Sequence, residues 1–326
     1  MARIEVLRIL QTLILQRRPY VIDQHLSTTE LIEALEVPED SPGRRIRMVL
    51  DTDTYNEVDD QFAVVHALNS ELDVEAIYAA PFHNHRSDGP EDGMERSYEE
   101  ILRLFGRMKS SPEVPIYKGS KGYLEAANRA QESPAARDLV ERALSKDDRP
   151  LYVVAIGAIT NVASAILIES SIIRRIRVVW LGGNAPWWPT AREFNLMQDI
   201  QAARIVFDCG APVVQLPCQN VTSHLHTTIP ELETSLRGCS SIGDYLVDIV
   251  RAYHEDHFAW SKVIWDIAAT AYLVEPGWFK SNLIHSPILT DATTWSFDDS
   301  RHFIRCVYHI DRDSVFRDVF QKVQRG

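Results

Sequence analysis

Arg47-Met48-Val49-Leu50-Asp51-Thr52-Asp53-Thr54-Tyr55-Asn56-Glu57-Val58-Asp59-Asp60 decides how the rest of the chain is read. An apolar run ends in a loop carrying five carboxylates within ten residues, and Gln61-Phe62-Ala63-Val64-Val65-His66-Ala67-Leu68 resumes with helical spacing. Strand, acidic loop and helix in that order place the carboxylates at the carboxyl end of a strand, where open α/β sheets bind ligands. Two like charges about 5 Å apart repel by roughly 3 kcal/mol at an effective dielectric of about 20. Convergence of Asp51, Asp53, Asp59 and Asp60 therefore demands a cation, and hard oxygen ligands favour Ca²⁺ or Mg²⁺. A solvated acidic loop without metal is the plain alternative, and the apolar flanks on both sides argue against it.

Working outward, strands are expected near Ile46–Asp51, Val74–Ala80, Val114–Tyr117, Leu151–Gly157, Arg177–Gly182, Pro212–Leu216 and Phe303–Ile310. Helical patterns fall at Asp60–Leu68, Met94–Met108, Ala135–Ser145, Thr160–Glu169, Asp199–Cys209, Ser241–His257 and Trp265–Val274. This alternation predicts an α/β fold: a single domain with an open, mostly parallel, doubly wound (Rossmann-like) sheet flanked by helices. The expected domain spans residues 46–326, with residues 1–45 as an N-terminal helical extension. The irregular stretches His83–Gly93, Gly183–Phe194 and Gln219–Pro230 are the candidate site loops.

Composition narrows the partners. The 326 residues are 45% hydrophobic, ample for one large α/β domain, and the formal charge of -12 argues against nucleic acid or an anionic membrane. Cys209, Cys218, Cys239 and Cys306 lack metal or disulfide-framework spacing, which fits a reducing compartment, most simply the cytoplasm. Met1–Arg18 is too short and too charged to span a bilayer and has no small-residue cleavage site after it. An amphipathic helix packed on the body or on another subunit is expected there.

Further constellations accompany the acidic loop. Leu151–Gly157 reads as a buried strand ending at a glycine that lets backbone approach closely, so the Ile156 carbonyl can face a ligand or ion. Val178-Val179-Trp180-Leu181-Gly182-Gly183-Asn184 repeats that pattern. Glu193 and Asn195, two apart, share a side in extended chain and together suit sugar hydroxyls; capping is the alternative. Trp265-Asp266 opens an apolar helix. Asp266 is either a helix N-terminal acid or a further carboxylate for the cation, with Trp265 as a flat wall beside it.

With these motifs together, the chain resembles the inosine–uridine-preferring nucleoside hydrolase family. Its signature is a strand ending Asp-x-Asp-Pro-Gly-x-Asp-Asp, a Gly-Pro-Leu-Thr-Asn turn, a Met-Gly-Gly strand end, a Glu-Phe-Asn segment and a late His-Asp or Trp-Asp. Here these read Asp51-Thr52-Asp53 with Asp59-Asp60, Gly157-Ala158-Ile159-Thr160-Asn161, Leu181-Gly182-Gly183, Glu193-Phe194-Asn195 and Trp265-Asp266, in family order. The resemblance implies Ca²⁺ on Asp53, Asp60, the Ile156 carbonyl and Asp266, with Asp51 behind them. It also implies Asp59 on the 2′-hydroxyl, Glu193 and Asn195 on the outer sugar hydroxyls, and a homo-oligomer, dimer or tetramer. Two departures stand out. The acidic loop is two residues longer, which brings Asn56 and Glu57 toward the substrate, and Pro81–Ser87 replaces the usual Gly-Asn segment.

The implied reaction is hydrolysis of a nucleoside N-glycosidic bond, releasing base and ribose, by a calcium-held water that Asp53 deprotonates as it attacks. Trp265 stands where many members have His, which resembles the purine-preferring subgroup. Trp187, Trp188 or Tyr123 would complete an aromatic sandwich around the base, and His257 or His254 are alternative acids. Two rival readings remain at this stage. Asp51-Thr52-Asp53-Thr54 also resembles the DxDxT opening of haloacid-dehalogenase Mg²⁺ phosphatases, though no later Asp pair supports it. A calcium-dependent nucleoside or sugar binder that has lost turnover is the other.

Overall fold

The structure is a computed structural model, and it describes residues 26–37, 45–109 and 112–325. The helix expected over Met1–Arg18 lies outside the described residues.

The quoted stretch forms β1 (Arg47–Thr52), buried along its whole length, because neighbours cover both its edges and helices cover both its faces. The remaining strands are β2 (Asp73–Ala79), β3 (Ile116–Lys118), β4 (Leu151–Ala155), β5 (Ile176–Leu181), β6 (Val213–Leu216), β7 (His226–Thr227), β8 (Lys262–Val263), β9 (Phe279–His285), β10 (Ile288–Leu289), β11 (Trp295–Ser296) and β12 (Phe303–Ile310). The main sheet runs β3-β2-β1-β4-β5-β6-β12-β9; β7 with β8, and β10 with β11, make small antiparallel ribbons. Every neighbouring pair in the main sheet is parallel except β12 with β9. From β1 the chain builds outward to β2 and β3, then returns to place β4 on the other side. The carboxyl ends of β1 and β4 therefore flank the switch point at which such sheets open a crevice.

Two apolar layers sandwich the sheet. Met48 and Leu50 face one of them with Phe62, Val65, Ile267 and Phe316. Val49 and Val153 face the other with Leu139, Val162 and Val206. Helices Asp60–Leu68 and Ile267–Val274 pack together in the first layer and are buried almost all round, so they read as continuous apolar runs rather than stripes.

Several boundaries differ from the sequence expectation. The helix expected from Met94 begins at Pro90, where proline fits the first turn after Gly89. The helix expected to reach His257 stops at Tyr253, because His254 turns extended. The edge strand β9 and the terminal helix Arg312–Arg325 were not anticipated. Among the described residues no helix is long and apolar enough to cross a membrane, and the four cysteines are free.

Candidate active site

Two helix starts build the site. Asp59 is the N-cap of helix Asp60–Leu68 and Asp266 the N-cap of Ile267–Val274, yet neither side chain makes a capping hydrogen bond. Both carboxylates turn inward instead. Ligand atoms of Asp59, Asp60 and Asp266 lie within 4.8 Å of one another, all buried. The positive ends of two helix dipoles thus face one acidic cluster, which eases the like-charge repulsion there. Asp59 Oδ2 accepts from the Trp265 backbone N–H at 3.2 Å, which joins the two helix starts.

Asp51 and Asp53 complete the group from the end of β1. Asp51 Oδ1 accepts from Asn161 Nδ2 at 2.8 Å, and Thr52 Oγ1 donates to Asp60 Oδ1 at 2.6 Å. Both oxygens of Asp53, Oδ2 of Asp60 and Oδ2 of Asp51 are buried without a hydrogen-bond partner. Such groups are rare in folded proteins and cost on the order of 1–3 kcal/mol each unless an ion or water satisfies them. Burial raises Asp51 to about 7, against which the Asn161 hydrogen bond works. Asp53 is raised well above its ordinary value by burial and by the Asp60 charge, Asp60 by burial and by Asp59, and Asp266 by burial and by Asp59. A divalent cation fits this set: the donors are all oxygen, several are orphaned, and they converge from three places, the end of β1 and two helix starts. Gly157, between β4 and the next helix, leaves room for Asp53, since a Cβ there would lie 2.9 Å from Asp53 Cγ.

A cleft of about 530 Å³ opens beside the cluster, lined by Asn56, Asp59, Ile156, Asn195, Trp265 and Asp266 among others. Glu193 lines it too, but its carboxylate accepts the backbone N–H groups of Gly183, Asn195 and Leu196, so it caps helix Phe194–Gln198. Asn195 is helical rather than extended, so the shared-side geometry expected for the pair does not apply. Its Nδ2 donates to the carbonyls of Ile156 (3.1 Å) and Leu181 (3.0 Å), tying the ends of β4 and β5 together.

Other expected residues stand elsewhere. Trp187 is 54% exposed and donates to Asn220, and Trp188 is also exposed; neither lines the cleft. Tyr123 hydrogen-bonds Gln198, and its hydroxyl is raised by burial and by the Asp53 charge. His257 Nε2 pairs with the Arg251 carbonyl, and His254 with Asp256, because the helix ends before them. Among the described residues, the histidine that lines the cleft is His85, and the aromatic lining is Trp265, Phe194 and Tyr253. Asp51, Asp53 and Asp60 are all fully buried and stand behind the cleft wall, to which Asp59, Ile156 and Asp266 contribute directly.

Sequence reasoning missed Tyr253, Arg192, Asn184 and the backing Lys262, which is 5% exposed. A lysine inside Lys262-Val263-Ile264-Trp265 was the available signal, a charge placed against an apolar run.

A mostly parallel sheet with a buried acidic cluster that could hold a cation at its switch point, beside a cleft, defines an α/β protein of doubly wound type. The sequence profile of the inosine-uridine preferring nucleoside hydrolases matches residues 48–317, and the chain belongs to that family. A pyrimidine-specific ribonucleoside hydrolase, RihA, of Salmonella paratyphi A is 29% identical over 254 residues, covering 68% of this chain and 78% of that protein. The protein of the same name from Klebsiella pneumoniae is 28% identical over 264 residues, covering 72% and 81%. In fold, the chain is similar to a purine-preferring ribonucleoside hydrolase from Gardnerella vaginalis (TM-score 0.69, 20% identity, covering 85% and 98%). It is equally similar to a plant nucleoside hydrolase (TM-score 0.68, 20% identity, covering 87% and 100%).

Proposed function

We propose that this chain hydrolyses the N-glycosidic bond of a ribonucleoside, with Ca²⁺ held by Asp53, Asp60, the Ile156 carbonyl and Asp266. The observation that carries the reading is the pair of buried, unpartnered Asp53 oxygens beside Asp60 in a member of this family. Bound calcium would supply Lewis acidity and a fixed point for the sugar diol.

The chain's own groups account for the remaining steps. Asp53 is the proton acceptor for the attacking water: both its oxygens lie buried with no hydrogen-bond partner, so one can serve the ion and the other the water's proton. Asp59, in contact with the Trp265 N–H, offers its other oxygen to a sugar hydroxyl. Asn195 has spent both amide protons on Ile156 and Leu181, so only its Oδ1 is available to the sugar. Asn56 lines the same wall. The surrounding carboxylates favour positive charge on the sugar as the bond breaks. Trp265 offers a ring face to the base, and stacking contributes roughly 1–3 kcal/mol per base. A homo-oligomer in the cytoplasm belongs to the same proposal, and light scattering checks the assembly.

The test is reducing-sugar release from a panel of purine and pyrimidine ribonucleosides, with and without a chelator. Ribose release that needs calcium supports the reading. A binder without turnover, favoured by the placement of His257 away from the cleft, would bind calcium and nucleoside and release nothing.

A further inference from the structure

A lysine is buried where the acidic cluster has least need of another anion. Lys262 opens β8, three residues before Trp265 and four before Asp266, and its Nζ donates to Glu57 Oε2 at 2.9 Å and to the Val263 carbonyl at 2.7 Å. Glu57 stands two residues before Asp59 and also accepts from the Tyr253 hydroxyl. The Lys262–Glu57 pair therefore bridges the two segments that deliver Asp59 and Asp266. The charges of Asp59, Glu57 and Asp266 all favour the ammonium form of Lys262 over the opposing effect of burial.

The loop that carries Glu57 is firmly built. Arg86 Nη1 donates to the carbonyls of Tyr55 (3.2 Å) and Glu57 (2.6 Å), and Asn84 Nδ2 donates to that of Asn56 at 3.0 Å. Two of the places where this chain departs from the family signature, the longer acidic loop and the Pro81–Ser87 segment, thus support one another.

We propose that Lys262 is a built-in counter-charge that sets the cation affinity of the Asp59–Asp60–Asp266 cluster, with Glu57 holding its ammonium in place and offsetting it. This rests on the metal reading above. Lys262 acts through the carboxylates and is a positioning residue. A buried cation beside a divalent ion opposes binding, and the partner carboxylate moderates that opposition. The two singly charged variants must therefore shift affinity in opposite directions. A merely structural pair predicts weakening in both.

The experiment is calcium titration calorimetry on the metal-stripped full chain, comparing wild type with Lys262→Met, Lys262→Arg and Glu57→Gln. Lys262→Met is expected to bind calcium about tenfold or more tightly, Glu57→Gln about tenfold or more weakly, and Lys262→Arg close to wild type. Unchanged or weaker binding by a folded Lys262→Met overturns the proposal. If that variant does not fold, Lys262→Gln takes its place: tighter binding supports the proposal and unchanged or weaker binding overturns it, and unchanged binding by Glu57→Gln overturns it as well. A wild type that binds no calcium overturns this proposal and the metal reading together. The predicted opposite shifts without nucleoside turnover would leave the counter-charge standing and sink only the hydrolase reading.

Discussion

Gly157 and Asp53 share one small volume. A Cβ at residue 157 would lie 2.9 Å from Asp53 Cγ and 3.0 Å from its Oδ1, too close for either atom to stay in place. Gly157→Ala should therefore displace the carboxylate and lower kcat/KM at least about tenfold, with circular dichroism unchanged. Asp53→Ala removes the proton acceptor itself and is expected to cost about 10²–10⁴-fold in kcat and to weaken calcium. Trp265→Ala should slow the reaction and leave calcium affinity intact, since its hydrogen bond to the cluster comes from the backbone N–H, which the substitution keeps. Equal calcium loss in both variants would refute that division of roles. The carboxylates were legible because five of them crowd ten residues and a sixth, Asp266, starts an apolar helix. Tyr253 and His85 were not, because their roles follow from where a helix ends and a loop turns, which spacing does not fix.

At the scale of elements, the ligands are held by helix packing, and His66 is its pin. His66 lies on the helix that starts with Asp60, and its Nδ1 meets Thr270 Oγ1 at 2.7 Å on the helix capped by Asp266. Its Nε2 meets Asp318 Oδ2 at 2.7 Å on the terminal helix, where Lys322 also reaches Asp318. Burial holds His66 below its ordinary value of 6.5, against the pull of Asp318. A histidine depressed in the fold contributes full stability above pH 6.5. As pH falls, the unfolded chain takes a proton that the folded one refuses, and the loss approaches about 1.4 kcal/mol per pH unit. His66→Ala should cost about 2–3 kcal/mol at pH 7 and less at pH 5, so that the difference in urea stability between the two shifts in favour of pH 5; an unchanged difference would assign the acid sensitivity elsewhere. The strand–helix alternation that frames these contacts was readable from apolar periodicity, including β12 at Phe303–Ile310. Its partner β9 was not, since Phe279–His285 is an edge strand with mixed burial and no clean alternation. Phe194–Gln198 was not read as a helix, although Glu193 takes there the capping role weighed as the alternative to sugar binding.

For the molecule as a whole, a bound cation would close a loop of about two hundred residues, because Asp59 and the Trp265–Asp266 segment meet across a separation of 206 positions. Ligand that binds only the folded state stabilises it by about 2.7 kcal/mol at a hundredfold excess over Kd. Calcium should therefore raise Tm by several degrees, and magnesium by less, since magnesium demands a tighter octahedral shell. The size of that rise depends on pH with a definite sign. Asp51, Asp53, Asp60 and Asp266 titrate higher in the fold than the ordinary 3.8, Asp51 at about 7. Without metal, the stability they lend is complete below about pH 4 and is lost as pH rises through the folded values, because the buried carboxylates must then ionise together. Calcium takes the place of those protons, so binding tightens as they leave. The calcium-induced shift in Tm is expected to be small at pH 5 and largest near pH 8, with proton release on binding measurable in calorimetry across buffers of different ionisation enthalpy. A shift that is the same at both ends would mean that the cation binds outside this carboxylate cluster.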